Sequence, residues 1–174
     1  DATQAPYDTN YRMESYIRDE LPELVARHFP VDMTRQGIFG HSMGGHGAMT
    51  IALKNPGRFK SCSAFAPIVN PLTADWTQDA FEKYLGADER SWRAYDATLL
   101  IADGHRVKDL LIDQGTADGF LDEGLRPQLL EVACATAGIP LELQMREGYD
   151  HSYNFISTFM AQHIAWHAER LAKG

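Results

Sequence analysis

The chain is poor in cysteine, in positive charge and in long apolar runs. Cys62 and Cys134 are the only cysteines in 174 residues. Two are too few for a disulfide framework and fit a reducing compartment, so the cytoplasm is the expected location. Lys and Arg number 16 against 24 Asp and Glu, a net charge of −8. That balance excludes a general nucleic-acid binder, which needs a basic footprint. No apolar run approaches the ~20 residues of a membrane span, and there is no repeat, low-complexity tract or charge block. What is present is ordinary for a globular protein: 44% apolar and 23% charged residues. A chain of this length can bury a sizeable core as one domain, here residues 1–174.

Helix-like and strand-like segments alternate, which predicts an α/β fold with a mostly parallel sheet. Residues 10–29 read as a helix, with Met13, Ile17, Leu21, Leu24 and Val25 on one face and Thr9 or Asn10 as its cap. Pro22 lacks an N–H and predicts a kink or restart there. Strands are expected at 35–39, 59–66, 109–113 and 141–145. Helices are expected at 48–54, 125–137 and 154–172, the last with Phe155, Phe159, His163, Trp166 and Leu171 near one face. Residues 68–105 read as irregular with short helical stretches.

Between the first strand and the first of these helices lies Gly40-His41-Ser42-Met43-Gly44, a G-x-S-x-G pattern. A nucleophilic serine must stand on a sharp strand-to-helix turn with its hydroxyl out. Glycines two positions either side let strand and helix approach closely. The helix N-terminus supplies N–H groups and a positive field where an oxyanion forms, here through the backbone N–H of Met43. Such a serine needs an acid and then a histidine later in the chain, each just beyond a strand C-terminus. Asp118 follows the strand at 109–113, and His151 follows the strand at 141–145. His151 would take the Ser42 proton and pass it to the leaving group, while Asp118 orients the imidazole.

Other residues compete for these roles. Asp122 is an alternative acid, Asp113 reads as a structural carboxylate inside its strand, and Asp150 adjoins His151 too closely to reach its far nitrogen. His41 is pinned by the elbow backbone beside the nucleophile and is a candidate pocket residue. His46 reads as packing or hydrogen-bonding, and His28, His105, His163 and His167 as solvated or packed. No carboxylate or cysteine completes a metal-ligand spacing with His41, His46 and His151, so no metal is expected. Cys62 and Cys134 read as small core residues. Trp76 reads either as a wall of an acyl pocket or as ordinary packing.

Taken together, several stretches resemble the S-formylglutathione hydrolase (esterase D) family of the α/β-hydrolase superfamily. They are Tyr11-Arg-Met-Glu-Ser-Tyr-Ile17, Gly40-His-Ser-Met-Gly-Gly-His-Gly-Ala48, Ser63-Ala-Phe-Ala-Pro-Ile68, Asp113-Gln-Gly-Thr-Ala-Asp-Gly-Phe-Leu121 and Gly148-Tyr-Asp-His-Ser-Tyr153. The resemblance implies hydrolysis of S-formylglutathione to glutathione and formate in formaldehyde detoxification. It puts the triad on Ser42, Asp118 and His151 and one oxyanion donor on Met43. It also implies no cofactor, a cytoplasmic location and frequent dimers. Alternatives on the same fold are a general carboxylesterase, a feruloyl-type esterase or an acyltransferase. A non-enzymatic alternative is an inactive fragment serving as a structural or binding module.

The chain opens at Asp1 without Met or a signal-peptide pattern and reads as the C-terminal portion of such a fold. The resemblance places further strands before Asp1, including a loop with a second oxyanion donor. Residues 1–174 alone are therefore expected to be insoluble or inactive, since one lost donor costs ~10²–10³ in kcat.

Overall fold

The computed structural model describes residues 1–173. Four strands, β1 (Gln36–His41), β2 (Phe59–Phe65), β3 (Leu110–Gly115) and β4 (Leu141–Arg146), form one sheet in chain order, every pair parallel. Among the described residues eight α-helices connect and flank them: α1 (Met13–Ser15), α2 (Leu21–His28), α3 (Met43–Lys54), α4 (Asp75–Leu85), α5 (Glu89–Trp92), α6 (Ala97–Ala102), α7 (Pro127–Ala137) and α8 (Tyr153–Ala172). The expected α/β architecture is observed. The segment at 68–105 holds more helix than its sequence suggests, with α4 spanning a full eleven residues.

The first helical segment carries two corrections and one expected break. Neither Thr9 nor Asn10 caps it. The carboxylate of Asp1 does that work from outside, accepting from the N–H and hydroxyl of Ser15. The break expected at Pro22 takes the form of a π-turn at Tyr16–Glu20, just before α2 begins, with the N–H of Leu21 reaching back to Tyr16. The widened turn accommodates the ring that would otherwise clash with the preceding turn. Last, the apolar face is only half used. Met13 is 67% and Leu24 51% exposed. Ile17, Leu21 and Val25 instead line an open cleft of about 290 Å³ with Ile38 and Phe59.

The main core lies where α3, α6 and α7 cover one face of the sheet. Met49, Ile51 and Leu53 of α3 pack with Ile38, Cys62, Ala64, Leu110, Ile112, Leu130 and Cys134. Each fully buried aliphatic side chain contributes about 1.5–3 kcal/mol. Cys62 and Cys134 are core residues, as expected, and burial pushes their thiols up to about 12 and about 11.

The opposite face is closed by α8, partly through polar groups. Ser61 Oγ lies 2.6 Å from His167 Nδ1, and Ser63 Oγ lies 2.8 Å from His163 Nδ1 and 2.7 Å from His167 Nε2. Asp113 pairs with Arg146 at 2.8 Å and faces His163 at 3.7 Å, so it is a structural carboxylate. His163 and His167 are buried, Leu171 only partly so.

Burial, then the charges of His163 and Arg170, lower the His167 pKa to about 4 from an ordinary 6.5. The unfolded chain therefore binds this proton more readily than the folded one. The stabilisation is complete above about pH 6.5 and is lost as pH falls toward about 4, a change of up to about 3 kcal/mol. Urea unfolding between pH 7.5 and 4.5 should show this decline, and His167→Gln should flatten it. Constant stability from pH 6.5 to 5 would refute the assignment.

Candidate active site

Ser42, Asp118 and His151 stand at the C-terminal ends of β1, β3 and β4, the end where open α/β sheets hold their sites. Ser42 is the residue between β1 and α3. Its backbone sits at φ 56°, ψ −117°, a region costly for any side chain, about 1–3 kcal/mol. Its N–H donates to Phe65 O at 2.9 Å, and His46 N–H donates back to Ser42 O at 2.9 Å, so both neighbours fix the strained turn. A Cβ on Gly40 would collide with the backbone of Gly44, which is why glycine stands two residues before the serine. The second glycine of the pattern behaves differently from expectation. A Cβ on Gly44 meets nothing within 4 Å, and it is Gly45 that packs closely, against Ala64 and Pro67.

The acid and the histidine are brought together directly. His151 Nδ1 donates to Asp118 Oδ2 at 2.6 Å, with the Asp118 side chain fully buried and that of His151 20% exposed. Their two loops are fastened to each other. Thr116 N–H donates to Arg146 O at 3.0 Å and Ala117 N–H to Tyr149 O at 2.9 Å. Gly115 permits this approach, because a Cβ there would strike the backbone carbonyl of Tyr149. Gly115→Ala should therefore push the two loops apart and lower turnover at least tenfold, while α3 and the β1–β2 pair stay intact. Activity and far-UV circular dichroism on one preparation test this; wild-type turnover would refute it.

The Ser42 hydroxyl makes no hydrogen bond within the protein among the described residues, so the serine–histidine contact expected of a triad is not formed in this state. Catalytic hydrogen bonds of this kind tighten in the complex with substrate. His41 joins the two regions instead. Its ring lies 4.4 Å from that of His151. Burial, then the charge of His151, lowers its pKa. Met43 opens α3 and is an exposed residue, and the first N–H groups of a helix have no partner within it. Asp122 is exposed on the π-turn Leu121–Leu125, where its carbonyl accepts from Arg126 at 2.9 Å. His46 bonds to Tyr95 O and His105 to Leu53 O.

Trp76 is 45% exposed, and its indole lies over Gly124 on that same π-turn, leaving no room there for a Cβ. Phe120 was not singled out by sequence reasoning. Its ring meets His151 edge-on at 5.1 Å while its N–H donates to Asp118 Oδ1 at 2.9 Å. Gln114, buried on β3, was also missed. The signal available for both was their place in the Asp113–Leu121 stretch that carries the resemblance. An apolar cleft of about 380 Å³ lies elsewhere, between Tyr11, Phe81, Tyr84 and Tyr95, and includes none of these site residues.

A strained serine between a parallel strand and a helix, with an Asp–His pair on strands further along the sheet, is the arrangement that nucleophile-elbow serine hydrolases have on the α/β-hydrolase fold. The Esterase family model, described as "Putative esterase", matches residues 1–168, and the chain belongs to that family. It is 54% identical over 173 residues to S-formylglutathione hydrolase of Mus musculus and 51% identical over 171 residues to that of Paracoccus denitrificans. Each alignment takes in 98% of this chain and 61% of the relative, so the chain spans about three fifths of the curated relatives it matches. The solved S-formylglutathione hydrolase of Agrobacterium tumefaciens superposes with a TM-score of 0.96 at 63% identity, over 98% of this chain and 62% of that one.

Proposed function

We propose that the protein carrying this chain is a serine thioesterase that hydrolyses S-formylglutathione to glutathione and formate, with Ser42 as nucleophile, His151 as general base and Asp118 as the acid that orients it. The observation that carries this reading is the 2.6 Å Asp118–His151 bond at the strand ends beside the strained Ser42 turn. The named relatives supply the substrate. The Ser42 oxygen attacks the formyl carbon while His151 takes its proton. The tetrahedral oxyanion forms beside the helix N-terminus, where the Met43 N–H donates to it. The carbon–sulfur bond breaks, and the His151 proton goes to the departing glutathione sulfur. Water then attacks the formyl ester, giving its proton to His151, and formate leaves as Ser42 recovers its hydrogen.

His41 and Trp76 serve as pocket residues in this reading. The formyl group is the smallest acyl group, so a tight pocket excludes longer acids. The two buried thiols fit a cytoplasmic enzyme of formaldehyde catabolism, and association into dimers is the state that sedimentation would test. Among the described residues no helix is long and apolar enough to cross a membrane. The deciding experiment measures kcat/KM of the full-length protein on formyl, acetyl and butyryl thioesters of glutathione. The rate should fall steeply with acyl length. A preference for the longer acyl groups would overturn the substrate assignment and leave a general esterase.

A further inference from the structure

Asp118 is held by more than its histidine. Oδ1 accepts from Phe120 N–H at 2.9 Å, and Oδ2 accepts from both His151 Nδ1 at 2.6 Å and Gln114 Nε2 at 3.1 Å. Gln114 lies on β3 with no solvent exposure, and its Nε2 also donates to Gly115 O at 3.1 Å. Its Oε1 is buried with no partner among the described residues. Turning the amide over would set its oxygen against two acceptors, so the neighbours fix the donor toward Asp118.

An unpaired buried carbonyl destabilises the fold, whereas an apolar side chain of the same size would fill the space without that penalty. Folding alone therefore gives little reason for glutamine here. A donor aimed at Oδ2 gives one. The terminal torsion of an aspartate is broad. With only His151 on Oδ2, the carboxylate can rotate about its Oδ1 anchor and carry the imidazole out of line.

We propose that Gln114 is a positioning residue for the acid–histidine pair, holding the Asp118 oxygen that His151 uses. The inference rests on the assignment of Ser42, His151 and Asp118 given above. Gln114 touches no reacting atom and acts through Asp118.

The test is a double-mutant cycle in the full-length protein with Gln114→Met and Asp118→Asn, read as kcat and KM on S-formylglutathione together with thermal melting. Loss of one hydrogen bond to a charged group should lower kcat about 10- to 100-fold in Gln114→Met, with KM within about twofold of wild type. The melting temperature should not fall in proportion, since the substitution also removes an unpaired carbonyl. In the Asp118→Asn background the same change should lower kcat by no more than about twofold, because the group it acts through is already impaired. Wild-type kcat in Gln114→Met, a loss carried by KM, or a full multiplicative loss in the double variant would overturn the proposal. If Gln114→Met does not fold, Gln114→Leu removes the donor with a branched apolar side chain that carries no proton to give Asp118. A loss of at least tenfold is then expected, and wild-type kcat overturns the proposal. If Asp118→Asn alone keeps most of its activity, the assignment of the acid fails first, which separates that failure from the failure of Gln114.

Discussion

Replacing Ser42 by alanine should cut turnover by ~10⁴–10⁶-fold and leave the fold unchanged. The hydroxyl makes no hydrogen bond within the described residues, so its removal exposes no buried partner. The methyl group of alanine adopts the same backbone conformation at the same steric penalty as serine. The turn itself is held by the Ser42 and His46 N–H groups, which the substitution keeps. Loss of activity with an unchanged melting temperature is thus a statement about the hydroxyl. The measurement is steady-state hydrolysis by the full-length protein, with thermal melting on the same preparation. Retained activity above about a hundredth of wild type would remove Ser42 from the mechanism.

Asp118→Asn should lower kcat by ~10⁴ through the position of one proton. Three donors converge on the native carboxylate: Phe120 N–H on one oxygen, His151 Nδ1 and Gln114 Nε2 on the other. An asparagine has one oxygen to offer them. If that oxygen keeps Phe120, the new NH₂ faces Nδ1 of His151. The imidazole then moves its hydrogen to Nε2, the nitrogen that accepts the Ser42 proton in the proposed mechanism. If the amide turns over, its NH₂ meets the Phe120 N–H, donor against donor. Either arrangement disarms the base while leaving Ser42 in place. A variant within tenfold of wild type, folded by circular dichroism, would show that another acid serves His151, and Asp122 would be the first to examine.

The candidate site was legible where chemistry restricts the backbone. Gly40 and Gly115 are needed because strand, helix and loop approach too closely for a Cβ, and Ser42 announces itself by standing among glycines. Asp118 and His151, which a hydrogen bond joins, could be picked out as candidates because a parallel sheet puts loops at one end and apolar strands mark where those loops begin. Less could be read where a side chain matters through a partner distant in sequence. Gln114 looks like one more strand residue until Asp118 is seen four positions on and turned back toward it. The exposed Met13 and Leu24 failed a periodicity argument because an apolar stripe says which residues share a face, not whether anything covers it. The Pro22 break was foreseen, but the π-turn that absorbs it has no pattern of its own, and the cap at Ser15 comes from Asp1, a contact no local motif encodes.

The serine hydroxyls under α8 bear on the order in which the molecule assembles. The pairs that join β2 to that helix, Ser61 with His167 and Ser63 with His163 and His167, link residues 100 to 106 positions apart. Contacts of such separation are slow to form, because the intervening chain must surrender its freedom before they give anything back. The strained serine turn, by contrast, is secured by neighbours close along the chain and by the adjacent strand. During refolding, helix signal and the β1–β2 pair should therefore return before the docking of α8, which follows the loop bearing His151. In the proposed mechanism, recovered hydrolysis then marks the end of folding, so a partly assembled chain would carry the Ser42 turn before His151 is in place.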